Sequence, residues 1–175
     1  VHLSSQSDLK NRFKPADADA YYVLDNDVTI DDSWFFAPTG MLAGTLDGQG
    51  HTITFANGGG VKSLMDGVAS TGVVQNISFA GKLKQATDGK AFGPLGNKVQ
   101  GAVLNCSTSV TGKGVAGFAR TLDGGIVSNC VSTSEGTAGA LFATYSAGQL
   151  VNTYWGAFLT NKMDAPASAL VNSYA

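Results

Sequence analysis

The sequence predicts an all-β chain: a parallel β-helix of about six to seven coils with a short N-terminal capping helix. Three observations lead there. One short segment returns along the chain, its period is too short for paired helices, and the composition is rich in glycine but poor in charge. Of 175 residues, 23 are Gly and 4 are Pro, with 43% apolar and 14% charged. That apolar content is enough for a sizeable core in a single domain.

The returning segment is Gly72-Val73-Val74-Gln75-Asn76-Ile77-Ser78-Phe79. It recurs as Gly101-Ala102-Val103-Leu104-Asn105-Cys106-Ser107-Thr108 and as Gly125-Ile126-Val127-Ser128-Asn129-Cys130-Val131-Ser132. Looser copies follow at Gly148 to Trp155 and at Ser168 to Tyr174, and an earlier one at Gly48 to Phe55 carries Thr52 in place of the Asn. From Thr52 to Asn172 the steps are 24, 29, 24, 23 and 20 residues, with a mean of 24. Three strands and three turns fill such a coil, and coils stacked at the ~4.8 Å strand spacing make the solenoid. Leucine-rich repeats share the length, but their Leu framework is absent.

Two positions before each Asn stand Val74, Val103, Val127, Leu150 and Leu170, apolar throughout. One position after stand Ile77, Cys106, Cys130, Thr153 and Ser173, small or apolar. Two inward residues flanking one position imply a bend there. Asn suits a bend, because its short amide tolerates left-handed backbone and can hydrogen-bond from coil to coil. Asn76, Asn105, Asn129, Asn152 and Asn172 are therefore expected to form an asparagine ladder. Small residues beside a Phe or Leu precede the copies, at Phe92 to Gly96, Gly114 to Ala119 and Gly139 to Ala143, where tight turns or close approach of coils are expected.

The segments sort into an N-terminal cap over 1–20, opening coils over 21–60 and repeats over 61–175, all in one domain. Ser7 is the expected N-cap of the helix, with Asp8 in its first turn and Leu9 and Phe13 as an i, i+4 apolar pair. Such a cap covers the first apolar layer and blocks edge pairing. Tyr21-Tyr22-Val23-Leu24 and Val28-Thr29-Ile30 read as the first strands, ahead of Trp34-Phe35-Phe36 and a turn at Gly44-Thr45-Leu46-Asp47-Gly48. The chain ends at Ala175, three residues after a ladder Asn, so a fragment of a longer protein is expected, or else a partner covering the last coil.

These residues resemble the GLUG-motif repeat proteins of bacterial surfaces, which belong with the pectin-lyase-like right-handed β-helices. The resemblance spans nearly the whole chain. It rests on the capping helix, on Tyr22-Val23-Leu24-Asp25-Asn26-Asp27-Val28-Thr29-Ile30, and then on Gly44-Thr45-Leu46-Asp47-Gly48-Gln49-Gly50-His51-Thr52-Ile53. The family's Gly-Leu-Val-Gly kernel is altered here, at Gly114 to Phe118 and Ala138 to Phe142. The resemblance implies a right-handed coil and a non-catalytic module of a secreted or cell-surface protein. It implies extracellular placement; a host or cell-wall glycan, a protein, or other domains of the parent chain are the expected partners.

Chemistry in the residues is sparse. A formal net charge of −2 argues against nucleic acid as a partner, and no apolar run reaches the roughly 18 residues of a membrane span. The Gly44 to Gly50 stretch also resembles a polygalacturonase segment, but the paired aspartates, His and Arg-x-Lys of that family do not follow. Glycoside hydrolysis needs two carboxylates at a set separation. Asp47, Asp66, Asp88 and Asp123 each precede a Gly, which reads as turn chemistry. Calcium-dependent lyase chemistry would need calcium carboxylates together with an Arg base, and the repeats contain only Arg120. Asp25, Asp27, Asp31 and Asp32 are the densest acids; a solvated loop is expected there, with a Ca²⁺ site as the rival. His2 and His51 cannot make a zinc site alone, and no metal or cofactor is expected.

Cys106 and Cys130 share a register in adjacent coils, and stacked buried thiols are expected, a disulfide being the alternative. Two residues past each Asn the side chain should face solvent, giving Ser78, Ser107, Val131, Tyr154 and Tyr174. Tyr154 and Tyr174 form an exposed aromatic step, the expected carbohydrate- or partner-binding feature if there is one; cover by a neighbouring domain is the rival reading. The leading expectation is a structural and interaction module with no active site, a rigid spacer or adhesive domain. A carbohydrate-binding module comes second and a polysaccharide lyase or hydrolase third. Ice binding is remote, because Thr does not repeat at one outward position.

Overall fold

The computed structural model describes residues 1–31, 40–56, 63–84, 91–136, 138–139, 141–156 and 165–173. The described residues form a parallel β-solenoid of about six turns, with one short α-helix near the N-terminus. Trp34-Phe35-Phe36, Asp32, Asp88 and Tyr174 lie outside the described residues.

Each full turn contributes three strand segments, and every strand pairs in parallel with its equivalent one turn away. The first column holds Met41–Leu42, Gly67–Val68 and Lys98–Val99, then the leading halves of Ala119–Ser128 and Phe142–Val151. The second runs His2–Leu3, Tyr21–Leu24, Thr45–Asp47, Val73–Gln75 and Ala102–Leu104, then the trailing halves of the same two long strands, and ends at Leu170–Val171. The third holds Val28–Ile30, Thr52–Phe55, Ser78–Lys82, Ser107–Gly112, Val131–Ser132 and Tyr154–Trp155, with Glu135–Gly136 also on Ser107–Gly112. The long strands fuse the first two columns into one 11-stranded sheet, and the third is a 7-stranded sheet.

Inward residues follow the period-2 alternation of strands. Val74, Val103, Val127 and Leu150 stack in one fully buried column, and Val28, Ile53 and Phe79 fill another. Removing such a side chain from water contributes ~1.5 to 3 kcal/mol, and stacking repeats this gain at each coil.

The corner between the first two columns explains a glycine in each repeat. A Cβ at Gly101 would strike the carbonyl oxygen of Gly72, one at Gly125 that of Gly101, and one at Gly148 that of Gly125. Successive backbones come too close there for any side chain.

The N-terminal helix spans Gln6–Arg12, and its cap lies two residues before the expected one. Ser5, not Ser7, is the N-cap: its Oγ accepts from Asp8 N at 3.1 Å. Asp8 Oδ2 in turn accepts from Ser4 N at 3.0 Å and from Ser5 Oγ at 2.9 Å. This reciprocal pair satisfies otherwise orphaned donors of the first turn. Leu9 and Phe13 are buried as the spacing requires, and Phe13 meets Tyr22 edge-on with ring centroids 4.8 Å apart. Strand pairing begins inside the segment expected to be cap alone, since His2 and Leu3 lie against Val23 and Leu24.

Two readings of the opening coils change. Thr45–Asp47 is a strand rather than a turn, paired with Tyr21–Leu24 on one side and Val73–Gln75 on the other. The copy at Gly48 to Phe55 also shifts by two residues, because Thr52 pairs with Ser78 and Ile53 with Phe79. Thr52 is therefore not a ladder position. The cause is a longer corner at Gly48 to His51, where Gln49 (φ +52°) and Gly50 (φ +86°) absorb the extra length.

Candidate functional site

The corner between the second and third columns carries the most organised polar structure. Asn76, Asn105, Asn129, Asn152 and Asn172 all adopt left-handed backbone, with φ between +46° and +53°. Their amides join in one direction. Asn105 Nδ2 donates to Asn76 Oδ1 at 3.3 Å, Asn129 to Asn105 at 3.3 Å, Asn152 to Asn129 at 3.2 Å and Asn172 to Asn152 at 3.4 Å. Left-handed φ is tolerable for Asn, and the row of amides recovers hydrogen bonds that the bend takes from the strands.

The ladder ends on Asp47. Asn76 Nδ2 donates to Asp47 Oδ1 at 3.1 Å, and three further donors converge on the carboxylate: Tyr21 Oη at 2.7 Å, Gln75 Nε2 at 2.9 Å and Gln49 N at 3.0 Å. Burial, to 3% exposure, pushes the carboxyl up, but the four donors outweigh it and bring its pKa down to about 2. The hydrogen bond to Asp47 also pushes the Tyr21 hydroxyl above its ordinary range. Asp47 is thus ionised and saturated with donors, a state unsuited to proton donation.

The other acids also link coils rather than serving only their own turns. Asp66 Oδ2 accepts from Gly40 N at 3.0 Å, and Asp123 Oδ2 accepts from Gln100 Nε2 at 2.9 Å with Lys98 Nζ at 3.9 Å. Asp25, read from sequence as part of a solvated loop, holds His2 Nδ1 at 2.6 Å and Ser4 Oγ at 2.9 Å, and these bonds lower its carboxyl. Asp27 Oδ1 accepts from Thr52 N at 2.9 Å and meets His51 Nδ1 at 3.3 Å; the backbone donor is the larger cause of its lowered pKa. Asp31 N donates to Gln6 Oε1 at 2.9 Å, tying the loop to the helix. Among the described residues no group of three or more His, Cys, Asp or Glu is placed to hold a metal ion, and no helix is long and apolar enough to cross a membrane.

The outward row past the ladder pairs as the sequence spacing requires. Thr52, Ser78, Ser107, Val131 and Tyr154 lie abreast on successive coils, and Ser78 Oγ and Ser107 Oγ are 2.7 Å apart. Val131 and Tyr154 are 43% and 38% exposed. With Asn129, Cys130 and Asn152 they line a shallow cleft of about 370 Å³. Tyr174, the second half of the expected step, lies outside the described residues.

A second depression, of about 330 Å³, went unread in the sequence. Asn97, Lys98, Arg120, Thr121, Asp123 and Ser146 line it, drawn from three successive coils. The signal available was Arg120 alone, and nothing in its local sequence shows that Lys98 and Asp123 stand beside it.

Cys106 and Cys130 are both free and buried. Cys106 N donates to Cys130 Sγ at 3.4 Å, and each thiol lies on the carbonyl two residues before it, Leu104 O at 3.1 Å and Ser128 O at 3.2 Å. The close approach of the two side chains splits their acidities: it raises Cys106, helped by burial, and lowers Cys130, helped by the Cys106 backbone N–H.

Comparison with known protein families, curated proteins and solved structures finds no match to this chain.

Proposed function

We propose that the chain is a non-catalytic structural and interaction module of a bacterial secreted or cell-surface protein, a rigid right-handed spacer or adhesive domain akin to the GLUG-motif repeats. The observation that carries this reading is the unbroken amide row from Asp47 to Asn172. It runs beside a continuous apolar column, so each coil stiffens its neighbours along the axis. Among the described residues the carboxylate best removed from solvent, Asp47, belongs to that scaffold, and Asp66 and Asp123 tie one coil to the next.

A carbohydrate-binding module is the second reading. Tyr154 offers an aromatic face beside the Asn129 and Asn152 amides, the combination of apolar plane and polar edge that a sugar ring needs. Tyr174 extends this step in the sequence.

The purified chain, applied to a broad glycan array and assayed in parallel for new reducing ends or unsaturated products, separates the readings. No products and no glycan binding are expected of a spacer or a protein-directed adhesive domain. Binding without products, abolished by Tyr154→Ala or Tyr174→Ala at unchanged thermal stability, selects the carbohydrate module. Products that track with the folded chain overturn the non-catalytic reading.

A further inference from the structure

The depression of about 330 Å³ on the first column brings Asn97, Lys98, Arg120, Thr121, Asp123 and Ser146 together from three successive coils. Parallel pairing sets Lys98 beside Thr121 and Thr121 beside Thr144, while the neighbouring Val99 and Leu122 are fully buried. Part of its polar capacity is already used. Asp123 Oδ2 accepts from Gln100 Nε2 at 2.9 Å and lies 3.9 Å from Lys98 Nζ, and Thr121 Oγ1 is 2.7 Å from Thr144 Oγ1. Among the described residues no side chain pairs with the Arg120 guanidinium, the Asn97 amide or the Ser146 hydroxyl. Lys98 and Asp123 balance one another, so the charge left for a ligand is the single positive charge of Arg120.

That balance selects the chemistry of an occupant. A planar guanidinium grips one carboxylate through two parallel hydrogen bonds, whereas a polyanion needs a run of positive charge that the depression lacks. Asp123 Oδ1 accepts, the Ser146 hydroxyl and the Asn97 amide both donate and accept, and such a set exchanges hydrogen bonds with hydroxyl groups flanking the carboxylate. The volume lies at the lower end of the ~300 to 1,000 Å³ of small-molecule sites. We propose that this depression is a binding site for a sugar acid, a single carboxylate on a hydroxylated skeleton of one-residue size. Arg120 holds the carboxylate, and Asn97, Asp123 and Ser146 hold the hydroxyls. The site shares no residue with the Tyr154 cleft, so it stands or falls separately from any sugar bound there.

The probe is gluconate, titrated calorimetrically into the purified chain at low salt. Glucitol supplies the hydroxyls without the carboxylate, and acetate the carboxylate without the hydroxyls. Gluconate should bind about tenfold or more tightly than either. Arg120→Gln should bring gluconate down to the level of glucitol at an unchanged thermal midpoint, because the guanidinium bonds to no side chain of the fold. Tyr154→Ala should leave gluconate binding as it was. Lactose ended by N-acetylneuraminic acid, compared with plain lactose, separates the two sources of such an acid. Binding tighter than that of gluconate assigns the site to the acidic end of a glycan, and weaker binding assigns it to a free sugar acid. The proposal is overturned if neither acid binds better than its neutral counterpart, if acetate matches gluconate, or if Arg120→Gln binds gluconate as the parent chain does.

Discussion

Asn76 Nδ2 donates to Asp47 Oδ1 at 3.1 Å, and that bond fastens the first rung of the amide ladder to a buried carboxylate. Each amide donates toward the N-terminus, and those from Asn76 to Asn152 accept from the coil that follows, so the row needs an acceptor at its N-terminal end. Asp47 supplies it while holding Tyr21, Gln49 and Gln75. Asp47→Ala strands four donors at a site 3% exposed. The expected loss is about 2 to 3 kcal/mol, read as a lower urea midpoint at unchanged slope.

The same carboxylate gives the chain an acid limit. Its folded pKa of about 2 lies below the ordinary aspartate value of 3.8, so the unfolded chain takes up the proton first as pH falls. The stabilisation is therefore fully present above about pH 4 and is lost progressively toward pH 2. The shift is worth about 2 kcal/mol. Asp8, Asp25 and Asp27 are lowered too and act in the same direction. Comparing Asp47→Asn with the parent chain isolates the Asp47 share: urea unfolding between pH 5 and pH 2 should show a shallower decline in the variant. Parallel declines would remove Asp47 from this role.

Val127 is fully buried in the column of Val74, Val103 and Leu150. Val127→Asp places a carboxylate there with no partner, at an expected cost of about 3 to 5 kcal/mol. Thermal unfolding checks it, and an unchanged midpoint would mean that the inward assignment is wrong.

Ladder and backbone contributions separate at Asn129, where φ is +53° and the amide both donates and accepts. Asn129→Gly loses the two amide bonds but keeps the left-handed bend at little strain. Asn129→Ala loses the bonds and strains the bend, so it should be less stable than the glycine variant by about 1 kcal/mol. Equal midpoints for the two would show that the backbone conformation carries no cost there.

The repeat, the parallel stacking and the five ladder positions were legible because they depend on local rules. A left-handed corner selects Asn or Gly, and the flanking inward positions select apolar or small residues, whatever else the chain does. The helix was legible too, although Ser4, Ser5 and Ser7 all suit an N-cap by type. Only the two-way bonding of Ser5 with Asp8 decides among them.

What the local pattern could not supply was register wherever a corner changes length. The four residues from Gly48 to His51 carry the right residue types for an ordinary copy, yet they displace Thr52 by two positions, which only its pairing with Ser78 reveals. Asp47 reads as a turn residue for the same reason, because two of its partners, Tyr21 and Gln75, sit 26 and 28 residues away. By itself, then, the sequence determined the strand period, the bends and the core, all set by neighbours within one coil. The tertiary structure alone decided which polar groups meet across coils: the ladder's carboxylate end, the links made by Asp66 and Asp123, and the cleft beside Cys130. Stacking distance and corner length fix those meetings, and neither is written in any single repeat.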